Sequence, residues 1–162
     1  MRRLVQAPHY DYKLLYSLCS DACEANGLHM RELGGKGPQP EPPFVSFDII
    51  SPHIRTSYVE DDPNNEFAVV LSLTVYDLDR QNAYQSADAL RQCIGSKSQD
   101  VMQALRNAGA VLEERMPLQV RNITNINEPA TMVGFDFKVR VSEPYTEPDQ
   151  IEKINFEEET NG

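Results

Sequence analysis

The stretch from Glu66 to Ile94 constrains the fold more than any other part of the chain. Its first half, Phe67 to Tyr76, is the longest run of β-branched and aromatic residues present. Side chains alternate across an extended strand, so Phe67, Val69, Leu71, Leu73 and Val75 share one side. The other side mixes Ala68, Val70, Ser72, Thr74 and Tyr76, a half-covered pattern. Asp77 to Arg80 then breaks the strand. From Asn82 the apolar period becomes helical, with Ala83, Ala87, Leu90 and Ile94 on one stripe. Asp79 is placed as the N-cap and Gly95 as the residue after the helix. The expected core unit is a long central strand feeding an amphipathic helix, and it carries no visible catalytic group.

At 162 residues the chain has the length of one domain with a single core. No apolar run approaches the roughly 20 residues of a membrane helix. Arg2 and Arg3 are not followed by an apolar stretch, so no secretory signal is expected. Cys19, Cys23 and Cys93 are an odd number without a CxxC pair, which reads as reduced thiols in a cytosolic setting. A net charge of −10 argues against gripping nucleic acid through phosphates, which takes clustered Lys and Arg. From Glu143 to Glu159, seven acids stand against the single base Lys153. Residues 144–162 are therefore expected to form a solvated, flexible acidic tail after one domain spanning 1–143.

Along the chain, Tyr10 to Asn26 reads as a helix with Leu15, Leu18, Cys19 and Ala22 on one face. Gly27 is its expected stop and Asp11 suits its first turn. Gly34 to Pro43 is too rich in Gly and Pro for helix or central strand and reads as an exposed connector. Phe44 to Ser51 alternates as the first strand, which Pro52 is expected to end. His53 to Asn65 follows as a long acidic connection, a length that points to partner contact. Ser98 to Ala108 reads as a helix with Val101, Leu105 and Ala108 inward and Gly109 as its stop. Ala110 to Met116 reads as a third strand, and Pro117 to Pro129 as a loop with some extended character. In the last strand Val133, Phe135, Phe137, Val139 and Val141 alternate with Gly134, Asp136, Lys138, Arg140 and Ser142. The expected class is α+β, in the order α-β-β-α-α-β-β. It has an antiparallel sheet of about four strands with helices packed mainly on one face.

Signs of chemistry are sparse. His9, His29 and His53 are scattered and read as surface residues, and no zinc-type Cys/His spacing occurs. Glu60, Asp61 and Asp62 lack the alternation and Gly of a calcium loop. Gly34 to Gly37 lacks the GxxxxGK[ST] pattern, and no GxSxG elbow exists. Cys19 and Cys23 sit four apart on one helix face, which is core packing. No cofactor, metal or catalytic residue is expected.

Several segments, taken in order, resemble the phage neck, or tail-terminator, protein family. They are Pro42 to Ser51, Val69 to Tyr76, the helix bearing Ala83-Tyr84 and Ala87, Leu105 to Gly109, and Gly134 to Val141. In that family a PYVSF-like strand precedes an acidic loop, an sFTVY strand, a helix, an LknlGi turn and a GFDvrfrv strand. The resemblance implies a virion structural protein without catalytic residues, made in the bacterial host cytoplasm. It implies a homo-oligomeric ring, usually hexameric, at the head-proximal end of the tail. Such a ring stops tail-tube polymerisation and meets the head connector or head-completion protein. DNA would pass through its lumen without specific binding, and no membrane is involved. The contact residues expected toward other subunits or the tail tube are Arg55, Tyr58, Glu60, Asp61 and Asp62 in the acidic connection. Asp136, Lys138 and Arg140 on the last strand complete that set. The alternatives are a head-completion or tail-tube subunit, or a small enzyme or ligand-binding regulator on a ferredoxin-like sheet.

Overall fold

The computed structural model describes residues 10–35, 37–38, 40–56, 66–95, 99–121 and 130–142. Their order is α1 (Lys13–Ala25), β1 (Met30–Glu32), β2 (Phe44–Arg55), β3 (Glu66–Asp77), α2 (Arg80–Gly95), α3 (Gln99–Asn107), β4 (Ala110–Arg115), β5 (Gln119–Val120) and β6 (Thr131–Ser142). The sheet runs β1-β2-β3-β6-β4, with β5 also pairing β6. Its spine is the antiparallel pair β3 and β6, in register from Glu66 opposite Ser142 to Asp77 opposite Thr131.

Alternation then assigns each side chain its face. Val69, Leu71, Leu73, Phe135, Phe137 and Val139 are buried on one side of this pair. Leu15, Leu18, Cys19, Ala87, Leu90 and Ile94 of α1 and α2 close the same core over them. α3 contributes Leu105, and Ala108 just past it joins the same core, while Val101 is half-buried at the edge. Asp79 caps α2, its Oδ1 accepting from the backbone N–H of Gln81 at 2.9 Å and of Asn82 at 3.2 Å. Gly27, at φ 72°, ends α1: its N–H donates to Glu24 O and that of Leu28 to Cys23 O.

The α+β class holds, but the sheet is mixed and six-stranded among the described residues. The order is α-β-β-β-α-α-β-β-β. β1 pairs parallel to β2 through Met30–Val45, Arg31–Ser46 and Glu32–Phe47. Three residues are too few to show a period, and β5 has only two, so neither was legible. Pro52 does not end β2. The register to β3 shifts between Ile49 and Ser51 and again between Ser51 and Ile54, and these irregularities absorb the missing donor. Asp11 precedes α1 and does not sit in its first turn; its Oδ1 accepts from Lys13 N–H at 3.1 Å. The acidic connection expected over 53–65 is shorter, because His53 to Arg55 belong to β2. Its remainder at 57–65, residues 122–129 and the acidic tail lie outside the described residues.

Gly95 is the last residue of α2 and not the one beyond it. A Cβ there would fall 1.9 Å from the Arg115 guanidinium carbon, so a larger residue would push that side chain from its present place. Arg115 Nη1 donates to Arg91 O at 2.8 Å, and Arg91 Nε donates to Met116 O at 2.8 Å. Two arginines thereby clasp the end of α2 to the end of β4.

Tyr10 fastens the start of the chain. Its hydroxyl donates to Ala108 O at 2.5 Å, and its ring meets Phe67 edge-on at 5.9 Å. Burial, with smaller contributions from Asp11 and Tyr12, pushes its pKa up from 10.0 to about 12. The contribution of this phenol to stability is therefore complete below pH 10.0 and is lost as pH rises toward about 12. Tyr10→Phe is predicted to cost about 1 kcal/mol at neutral pH. Urea unfolding across the alkaline window should show a steeper loss in the wild type than in the variant.

Candidate functional site

The face of β3 and β6 turned away from the helices carries the polar residues. Ser72 lies opposite Asp136, Thr74 opposite Gly134, Val70 opposite Lys138 and Ala68 opposite Arg140. Arg121, just after β5, lies across this face. Its Nη1 donates to Ser72 Oγ at 2.6 Å and Thr74 Oγ1 at 2.9 Å, and its Nη2 donates to Asp136 Oδ1 at 2.7 Å. Gly134 is what lets it lie flat: a Cβ there would come within 2.5 Å of Leu73 O and 2.9 Å of Arg121 Nη1. The guanidinium fork suits this planar, multi-donor arrangement in a way an ammonium would not.

A bulge sets the outer part of the face. Leu112 pairs Val139 and Glu114 pairs Lys138, so Glu113 is an extra residue in β4. Its carboxylate reaches Lys138 Nζ at 3.7 Å and Arg140 Nη1 at 3.8 Å, while Arg140 Nε stands 3.6 Å from Glu66. The same bulge returns Arg115 to the helix side, opposite Phe137. Pairs this long and exposed contribute at most about 1 kcal/mol each. The Arg140 side chain remains 43% exposed, so its charge is still presented outward.

At the other end of the face, Phe44 and Tyr76 stack with ring centroids 4.5 Å apart. Beside them a hollow of about 310 Å³ is bounded by Arg31, Leu33 and the Gly34–Gly35 turn. Arg31 Nη2 holds that turn by donating to Gly35 O at 2.9 Å and Gly37 O at 2.7 Å.

The structure thus brings Asp136, Lys138 and Arg140 together as three neighbours on one face, with Asp136 engaged by Arg121. Arg55 is exposed at the end of β2, opposite Phe67 in β3. Tyr58, Glu60, Asp61 and Asp62 lie outside the described residues. Arg121 and Glu113 were missed from sequence. The available signal was Gly134, since a glycine inside a well-patterned strand marks a close approach. Among the described residues no group of three or more His, Cys, Asp or Glu could hold a metal ion, and no helix is long and apolar enough to cross a membrane.

A sheet with one face sealed by helices and the other dressed in lateral ion pairs defines an α+β structural domain with a charged face that no described helix covers. Comparison with known families makes this specific. The chain belongs to the phage neck terminator protein family, whose match spans residues 12–162. It is therefore a structural protein of the phage neck and a component of the virion. No curated protein matches the chain at a significant level.

Gly134→Ala should displace the Arg121 guanidinium and cost about 1–3 kcal/mol through overpacking. Arg121→Ala should cost about 1–2 kcal/mol through lost charge-assisted hydrogen bonds on a partly exposed face. Because both act on one contact, the double variant should fall short of the sum in denaturant unfolding.

Proposed function

We propose that the protein closes into a homo-oligomeric ring of six copies at the head-proximal end of the tail. There it stops tail-tube polymerisation and offers a surface to the head connector. The observation that carries this reading is the family match over 12–162, nearly the whole chain. The open face supports it chemically. Lys138 and Arg140 of one copy, only loosely held by Glu113 and Glu66, can exchange those partners for carboxylates of the next copy. Such a contact joins two different patches, and it closes when the rotation per copy divides a circle.

Under this reading the contact set is Arg55, Tyr58, Glu60, Asp61 and Asp62 together with Asp136, Lys138 and Arg140. The role of Asp136 is to hold Arg121 and so to keep the face rigid. The net charge of −10 suits a lumen through which DNA slides, because like charge keeps the backbone from sticking. The partners are further copies, the tail-tube protein and the head connector.

Native mass and negative-stain images of the protein, alone and mixed with tail tubes, test the proposal. Closed rings, free or seated on tube ends, are expected. Long tubes of this protein would instead indicate a tail-tube subunit, and particles that stay monomeric in both conditions would overturn the ring. Deleting residues 58–65 should leave a folded monomer that no longer assembles. Arg140→Glu should weaken assembly by about tenfold, about 1.4 kcal/mol, while changing monomer stability by less than about 1 kcal/mol.

A further inference from the structure

The helix side of the molecule has a second hollow, of about 240 Å³, between α1, α2 and α3. Leu18, Ala22, Val101 and Ala104 give it an apolar lining, and Cys93, half-buried, also lines it. Asp21 on α1 and Asp100 on α3 border it from different helices, and both are exposed. Among the described residues neither carboxylate has an ion-pair partner. An apolar depression between two such carboxylates fits a patch that carries two cations beside a small apolar side chain.

The sheet face holds a patch of that kind. Val111 in β4 stands directly opposite Arg140 in β6, so the two side chains share the side turned away from the helices. Val111 is 55% exposed. Lys138 points the same way, two residues from Arg140 and so about 7 Å along the strand. Packed helices lie about 8–10 Å apart, a span that two long, flexible cationic side chains can match when they meet carboxylates on α1 and α3. Within one copy the same cations have only distant partners, Glu113 at 3.7 and 3.8 Å and Glu66 at 3.6 Å. Patch and hollow lie on opposite layers, so a single copy cannot join its own. Between copies each gives one patch and receives another, which is the head-to-tail contact that rings are built from.

We propose that the patch of Val111, Lys138 and Arg140 on one copy seats in the hollow between α1, α2 and α3 of the next. Val111 rests on the apolar lining, and Lys138 and Arg140 exchange Glu113 and Glu66 for Asp21 and Asp100. This contact rests on the ring reading above and names the surface that receives each copy.

Cross-linking of mixed chains tests it. Chains carrying Val111→Cys with Cys93→Ser are mixed with wild type and tail tubes and treated with a short bismaleimide. Cys19 and Cys23 are buried, so the expected product is a linked pair with one chain of each kind, joined from position 111 to Cys93. The substituted chain by itself should give no linked pair. Linkage between two of its copies through position 111 would mean that two sheet faces meet, and would overturn the proposal. Asp21→Lys with Asp100→Lys should raise the concentration for half-assembly about tenfold. Adding Lys138→Glu with Arg140→Glu to the same chain should restore assembly. Rings that form as readily with both aspartates replaced, or that give no mixed linkage, would overturn this contact and leave the ring standing. Failure of the wild type to form any oligomer, alone or on tube ends, would instead remove the ring reading and this contact with it.

Discussion

The unbroken pairing of β3 with β6 is the constraint on which the other features rest. Each strand has 12 residues, and every residue of one faces a residue of the other without a slip. A shift of one position would turn Phe135 and Phe137 to the open side and bring Asp136 and Lys138 under the helices. Burying those charges without partners would cost far more than surface ion pairs return. The apolar alternation on both strands therefore fixes the register. The register in turn decides which groups meet Arg121.

From that pair outward the sheet becomes less regular, and the irregularities have functions. The extra residue Glu113 in β4 supplies the carboxylate shared by Lys138 and Arg140. The shifts in β2 accommodate Pro52 and bring His53 flat onto Phe67, with centroids 4.2 Å apart. The central pair supplies the rigid core, and the flanking strands use local departures from the ladder to aim polar groups.

The division also explains what could be read beforehand. β3, β6 and α2 were legible because long periodic runs leave one solution, and the Asp79 cap and the Gly27 and Gly109 stops obey local rules. β1 and β5 owe their existence to neighbours, since Met30–Glu32 and Gln119–Val120 have no pattern of their own. The bulge at Glu113 has no glycine or proline to announce it. Only tertiary contact shows that Gly95 ends α2 to make room for Arg115. Of the open face, Asp136, Lys138 and Arg140 were visible as alternating charges, whereas Arg121 came from a stretch that looked like plain loop.

The double arginine clasp between α2 and β4 has a mechanical meaning. An outermost strand is normally the weakest point of a sheet, because it can peel away one ladder bond at a time. Here the carbonyl of Met116 is held by Arg91 and the carbonyl of Arg91 by Arg115. A pull applied to this margin is shared with a 16-residue helix seated on the core and is not borne by the ladder alone. The joint behaves as a rivet between two layers.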